Sequence, residues 1–354
     1  MADGTLPDHA VEGSISEFQL VELKISSICF RRNNYTRGRK YDDAAAMHTI
    51  AIVNIIWFLL ALCFIVAFCL YKFSLKLPNR LEDVFQDLIR YGKTKEHIKR
   101  PSWQLFFNVS KRCFSHFYAV SVMWNGLLLL FSIRSVVMRE TLPDWLIDAL
   151  WCLTGRPRDA WNELHLSILL IQVLLWVHSL RRLLECLFVS VFSNGVIHIV
   201  QYAFGLGYYV LLGLTVLCIN ASLPQSGAVP FFKQLTWYHA IGTLLFIWAS
   251  LLQHWSLSLL AKMRTDNSGK VETLAHKMPR GGWFELVSCP HYLAELLIYV
   301  AMSVCCGCSS LTWWLVVLYV LYNQALAAQL CHDYYRSKFE TYPRQRKAFI
   351  PFVL

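Results

Sequence analysis

The sequence predicts an all-α fold, an integral membrane bundle of about seven transmembrane helices, on three observations. Hydrophobic residues make up 56% of the 354 and charged residues only 16%, with a mean hydropathy of +0.41, too apolar for an ordinary soluble domain. Several runs approach the roughly 20 apolar residues that cross a bilayer as a helix. Lys and Arg gather in alternate loops between those runs, the pattern of a multi-pass protein with one basic side.

Taken in order, residues 1–48 are polar and are expected to form a disordered tail. Residues 1–46 carry no apolar h-region, so the first span is expected to serve as the targeting signal. Residues 49–354 form the membrane domain, with spans predicted at 49–71, 117–131, 164–180, 196–220, 238–261, 292–305 and 311–330. The second and sixth are short, so a six-span count also fits. Residues 81–95 place Leu81, Val84, Phe85, Leu88 and Ile89 at amphipathic spacing, which suits a helix on the membrane face or a solvated linker helix.

The net charge of +10 resides in loops and therefore reports orientation; nucleic acid is not an expected partner. Ten Lys/Arg lie between the first and second spans, Arg181 and Arg182 follow the third, and five lie in each of the fifth-to-sixth loop and the C-terminal tail. Those loops are expected in the cytosol with the C-terminus. The opposite side carries few basic residues, apart from six in the N-terminal tail. On that side the sequons at Asn34 and Asn220 would be accessible, whereas the one at Asn108 would not. Most of the twelve cysteines are scattered along apolar helices as small hydrophobes; Cys305-Cys306-Gly307-Cys308 reads as a turn, with no metal assigned.

Polar residues at membrane depth mark the candidate site, because an ion there costs roughly 2.5–3.5 kcal/mol and needs a partner. His178-Ser179-Leu180-Arg181-Arg182-Leu183-Leu184-Glu185 sets Arg181 and Arg182 at i,i+4 and i,i+3 from Glu185. The pairing reads either as an anchor at the interface or as one wall of a pocket. Asn194, His198, Gln201, Gln253, His254, His291, Glu295, Asn323, Gln324, Gln329 and His332 add polar groups on other spans and together suggest a hydrated cavity. No GxGxxG, Walker A, GxSxG or HExxH motif occurs, so a dinucleotide would bind outside those folds. Ten basic side chains in 262–280 and 336–347 could hold its phosphates or meet anionic lipid headgroups.

Three C-terminal stretches then point to a family. Pro279-Arg280-Gly281-Gly282-Trp283-Phe284, Tyr292-Leu293-Ala294-Glu295 and Tyr342-Pro343-Arg344-Gln345-Arg346-Lys347-Ala348-Phe349-Ile350-Pro351 resemble the steroid 5-alpha-reductase family. Phe85-Gln86-Asp87-Leu88-Ile89-Arg90-Tyr91-Gly92-Lys93-Thr94-Lys95, Phe114-Ser115-His116-Phe117-Tyr118 and Ile197-His198-Ile199-Val200-Gln201-Tyr202 are similar to its polyprenal reductase branch. The resemblance spans about residues 81–354. It implies a seven-span enzyme of the endoplasmic reticulum membrane that uses NADPH to saturate the alpha-isoprene double bond of polyprenal, giving dolichal on the route to dolichol for protein N-glycosylation. A steroid or enoyl-lipid substrate is the alternative within the same chemistry, and a membrane methyltransferase is the rival of a different class. A transporter fits less well, since neither repeat symmetry nor broken spans occur in paired positions.

By the resemblance, Glu295 matches the glutamate at the nicotinamide end, Gln253 an amide contact, Arg264 a basic contact and Tyr335 a cofactor-binding tyrosine with His332 close by. His291 stands where the family usually has Asn, Leu257 where the steroid enzymes have an acid, and Ser179 where they have the catalytic tyrosine. The expected cofactor set is completed by His276, Arg344 and Arg346, and residues 250–354 are expected to supply most of it. The carbonyl donor stays open among His178, Arg182, Tyr118 and His116, with Glu185 orienting Arg182.

Overall fold

A computed structural model describes residues 51–75, 77–95, 102–221, 223, 230–266 and 268–354. The expected tail 1–48 and the Asn34 sequon lie outside them. Among the described residues nine α-helices follow in order: α1 Ile52–Lys72, α2 Asn79–Ile89, α3 Phe114–Met138, α4 Asp144–Thr154, α5 Leu166–Leu184, α6 Ile199–Asn220, α7 Trp237–Lys262, α8 Pro290–Cys305 and α9 Leu311–Lys338. Among the described residues six helices are long and apolar enough to cross a membrane, and α8 is a shorter apolar one. The chain is a multi-pass helical membrane bundle whose spans fall where the apolar runs predict.

Helix ends depart from expectation where polar residues continue a helix. Helix α3 reaches Met138, well past residue 131, and accommodates Ser132 by returning its hydroxyl to the Leu128 carbonyl at 3.0 Å, while Arg134 pairs with Glu140 beyond the helix end. Helix α9 runs to Lys338 because Gln329 donates to Asp333 at 3.1 Å, and both face α1: Tyr71 donates to Asp333 at 2.9 Å and Lys72 to Gln329 at 3.0 Å. The sequence reading missed α4, an amphipathic helix that buries Leu146, Ile147 and Leu150 and stops at Gly155, φ 66°. It also missed a two-stranded antiparallel ribbon. Strand β1, Asn108–Ser110, pairs with β2, Val196–His198, so residues 196–198 belong to strand and not to the fourth span.

Helix α8 packs between α7 and α9, α9 against α1, and α3 against α5 and α6. Small residues set the closest approaches, as expected where lipid supplies no hydrophobic drive between helices. A Cβ at Gly242 of α7 would lie 2.5 Å from the Cys305 sulfur of α8. Ser121 of α3 and Ser179 of α5 share a hydrogen bond of 2.6 Å.

At the basic end of the bundle, α2 turns Leu81 and Val84 outward and buries Asp87, whose carboxylate meets Lys95 Nζ at 2.9 Å in a fully buried pair. Gln201 of α6 donates to the Leu88 carbonyl at 2.6 Å. The turn after α2 crosses the chain at Gly92, φ +53°, where a Cβ on Gly195 would come within 2.6 Å of the Gly92 Cα. At the opposite end, Asn220 is buried, not accessible as its sequon suggested. Its amide donates to the Ala160 and Glu163 carbonyls, both at 3.0 Å, and accepts from His165 N–H at 2.9 Å. Cys306-Gly307-Cys308 forms a turn with Gly307 at φ 65° and Cys308 N–H on the Ser303 carbonyl.

Candidate active site

Helix α5 ends in a single π turn, Glu185–Val189, closed by Ser190 N–H on the Glu185 carbonyl at 2.7 Å. Such turns are frequent at functional sites, and this one begins at the buried Glu185. The carboxylate is 3% exposed and receives Arg181 Nη1 at 2.7 Å, Arg182 Nη1 at 2.5 Å and His254 Nδ1 of α7 at 2.9 Å. From Arg181 the network runs inward. Its Nη2 donates to Gln253 Oε1 at 2.5 Å, Gln253 Nε2 donates to Glu295 Oε2 at 2.5 Å, and Glu295 Oε1 lies 3.4 Å from His178 Nε2.

Hydrogen-bond chemistry fixes the state of His178. Arg181 Nη2 sits 3.2 Å from its Nδ1, and a guanidinium only donates, so Nδ1 accepts and the proton is on Nε2, facing Glu295. Two guanidinium cations therefore balance two carboxylates, with His178 neutral. Charges of this kind are tolerated at membrane depth because each is paired.

Arg182 carries the network to α3. Its Nε donates to the Tyr118 hydroxyl oxygen at 3.3 Å, and its guanidinium lies 5.0 Å from the Tyr118 ring centre. Beyond Tyr118 the wall is aromatic: Tyr209 at 5.6 Å between ring centres, then Tyr208, whose hydroxyl donates to the Tyr299 hydroxyl at 2.7 Å. A phenol that accepts from a cation keeps its own O–H to give.

A second cluster occupies the basic end. Lys93 Nζ stands 3.8 Å from the Tyr335 ring centre and 5.3 Å from that of Tyr334, and His276 meets Tyr334 edge to face at 5.8 Å. Lys111 Nζ lies 5.8 Å from the Tyr91 ring centre, and the Tyr91 and Tyr292 hydroxyls share a bond of 2.6 Å. Burial, then the cations Lys93, Arg264, Lys111 and Lys338, push the His276 pKa down to about 3. Arg264 Nη1 donates to the Val191 carbonyl at 2.6 Å. The field at His276 is thus strongly positive, a place suited to an anion.

The sequence-chosen residues divide between these clusters. His178, Arg182, Glu185, Tyr118, Gln253 and Glu295 converge in the interior. His291 borders them: its carbonyl receives Gln253 Nε2 at 3.4 Å, and its buried Nδ1 has no protein partner. Arg264, His276 and Tyr335 converge at the basic end. His332 instead joins Ser288 at 2.7 Å and Tyr342, tying the tail to α9. Arg346 is buried and donates to the Pro279 carbonyl at 2.9 Å and to Glu285 at 3.2 Å, whereas Arg344 is exposed at the surface. The Gly281 N–H, and then Arg346, hold Glu285 below the usual carboxylate range. His116 lies apart, exposed and bonded to Tyr202 at 2.9 Å.

The sequence reading missed Lys93, Lys111 and Lys338 as one cationic group, with Tyr91 beside it, and Arg181 as the hub of the interior. Tyr91, Lys93 and Lys111 lie far before residue 250, so the basic-end cluster is shared between the two halves of the chain. The spacing His178 to Arg181, one helical turn, was the available signal for the hub.

Comparison with known proteins gives one answer. The family model for 3-oxo-5-alpha-steroid 4-dehydrogenase matches residues 196–354. The polyprenal reductase of Danio rerio is 80% identical over 307 residues, covering 87% of this chain and 99% of that protein. The polyprenal reductase of Xenopus tropicalis is 50% identical over 86% of this chain and 100% of its own length. That of Homo sapiens is 50% identical over 76% of this chain and 86% of its own.

Proposed function

We propose, since the chain belongs to the steroid 5-alpha-reductase family in its polyprenal reductase branch, that it is an NADPH-dependent oxidoreductase saturating the alpha-isoprene double bond of polyprenal to give dolichal, for dolichol synthesis and protein N-glycosylation. It works in the endoplasmic reticulum membrane with its basic end and C-terminus in the cytosol and the isoprenoid tail in the bilayer. The observation that carries the reading is the Arg182–Tyr118 pair, a phenol polarised by a guanidinium beside the Glu295–Gln253 pair.

The residues present fit a phosphorylated dinucleotide. Four cations act on His276, where phosphate would sit, and aromatic rings of Tyr334 and Tyr335 flank Lys93 there. At the inner end, Glu295 and Gln253 offer an acceptor and an amide matched to the nicotinamide carboxamide, with the orphaned His291 Nδ1 beside them. Lys93, Lys111, Arg264 and Lys338 would hold the phosphates.

The cofactor, when bound, supplies a hydride to the β carbon of the enal. Tyr118 donates its O–H to the aldehyde oxygen and gains strength as negative charge gathers there. Arg182 holds the Tyr118 hydroxyl and spreads positive charge toward it, and Glu185 fixes Arg182. His178 is less suited to that oxygen, because Arg181 takes its Nδ1 and Glu295 faces its Nε2. The aromatic wall from Tyr118 to Tyr208 keeps water from the charge.

The test is turnover by protein in detergent micelles, with NADPH and separately polyprenal, polyprenol and a 3-oxo-delta-4 steroid, read by mass spectrometry. Dolichal from polyprenal alone is expected. Turnover of the steroid alone would overturn the substrate, and no NADPH consumption with any of them would overturn the activity.

A further inference from the structure

We propose that His254 is a positioning residue of this site: through Glu185 it sets the geometry of the Arg182–Tyr118 pair. The proposal rests on the reductase reading above and adds a residue that the resemblance does not assign. His254 is the outward end of the buried network. Its side chain is 49% exposed, while Glu185, to which it is bonded at 2.9 Å, is almost wholly enclosed.

The two histidines of the network play different parts. His178 accepts from Arg181 through Nδ1. His254 presents Nδ1 to a carboxylate, which only accepts, so Nδ1 carries the hydrogen and holds the Glu185 side chain from the α7 side. Its Nε2 lies 3.4 Å from Ser258 Oγ.

The groups around His254 define the consequence. From the π turn it faces Glu185; behind that carboxylate stand Arg181 and Arg182 of α5; from α8 the charge is Glu295, held beyond Gln253; on α7 there is Ser258. Glu185 meets both guanidinium groups, so where its carboxylate is held decides where Arg182 stands beneath Tyr118. During reduction the β carbon gains a hydride, the C=C π bond breaks and its electron pair passes to the carbonyl oxygen. A proton then adds at the α carbon and the C=O bond reforms. The negative stage is the one a correctly placed Arg182–Tyr118 pair favours.

The experiment compares native protein with His254→Asn and His254→Ala. Asparagine can donate to Glu185 from its amide and so can restore the bond that alanine deletes. With polyprenal and NADPH, His254→Ala is expected to lower kcat about tenfold with unchanged KM values, and His254→Asn to recover most of that loss. An alanine variant with native kcat, or an asparagine variant no better than alanine, overturns the proposal. A readout independent of turnover is the thermal midpoint of Glu185→Gln, His254→Ala and the double variant. The double variant should shift no further than Glu185→Gln alone; additive shifts overturn the link. Native protein inactive on polyprenal would defeat the functional reading, while this cycle would still decide the pair.

Discussion

The interior network and the basic-end cluster are built from the same residue types and behave in opposite ways. In the interior two guanidinium cations and two carboxylates sum to zero: Arg181 and Arg182 share Glu185, and Glu295 is held by Gln253 and faces His178. At the basic end the cations Lys93, Lys111, Arg264 and Lys338 jointly act on one histidine, and the three lysines lie against aromatic rings. The interior is pre-organised for a reaction in which charge develops briefly, whereas the cation-rich end is suited to a ligand that arrives charged. An ion costs more among the spans than at a loop end.

The largest effect expected concerns what holds the basic end in place. Asp87 and Lys95 are a buried pair that anchors the turn carrying Tyr91 and Lys93. Lys95→Met leaves a buried carboxylate without its cation and should cost about 3–5 kcal/mol of stability, read as a lower thermal midpoint. Unchanged stability would mean that the turn is held by its other contacts. Next comes the interior. Tyr118→Phe keeps the ring against Tyr209 and deletes one O–H, so kcat should fall by about 10²–10³ with the fold intact. If His178→Ala gave that loss and Tyr118→Phe did not, the donor would be the histidine.

Much of the interior was legible in the sequence, because charge inside an apolar run is conspicuous. Glu185, Glu295 and Gln253 stood out against their spans, and helical spacing paired Glu185 with both arginines. The basic end was legible only as a surplus of charge. Lys93 lies in a turn, where no periodicity says which way a side chain points, and Tyr335 is one aromatic among many on α9. Their meeting depends on Gly92 crossing Gly195 and on the β1–β2 ribbon, whose strands are three residues each and lie about 90 residues apart. Arg346 is a related case: a basic tail in sequence does not show that this arginine is buried on Pro279 and Glu285. Helix ends were blurred where serine or glutamine bonded back to its own helix.

A smaller effect separates the regions kinetically. Lys93→Ala removes one cation from the basic end and nothing from the interior. The KM for NADPH should rise about tenfold, the worth of one charge-assisted hydrogen bond, with kcat nearly unchanged. The KM of the variant should also respond less to added salt. A fall in kcat at unchanged KM would erase the distinction drawn between the two regions.

The smallest effect is a pH dependence of stability that belongs to the basic end alone. Burial and four cations hold the His276 pKa down to about 3, against roughly 6.5 for an unfolded histidine. Between those values the unfolded chain binds a proton that the folded chain refuses, so stability rises with pH through this window and is lost as pH falls from about 6.5. His276→Ala should therefore flatten the acid side of the thermal-midpoint profile without changing its level at pH 8. The slope should also shrink in native protein given NADPH, because an anion beside His276 offsets the cations and lets the imidazole accept its proton. A slope that persists in His276→Ala would assign it to another group, and a slope indifferent to NADPH would place the phosphates elsewhere.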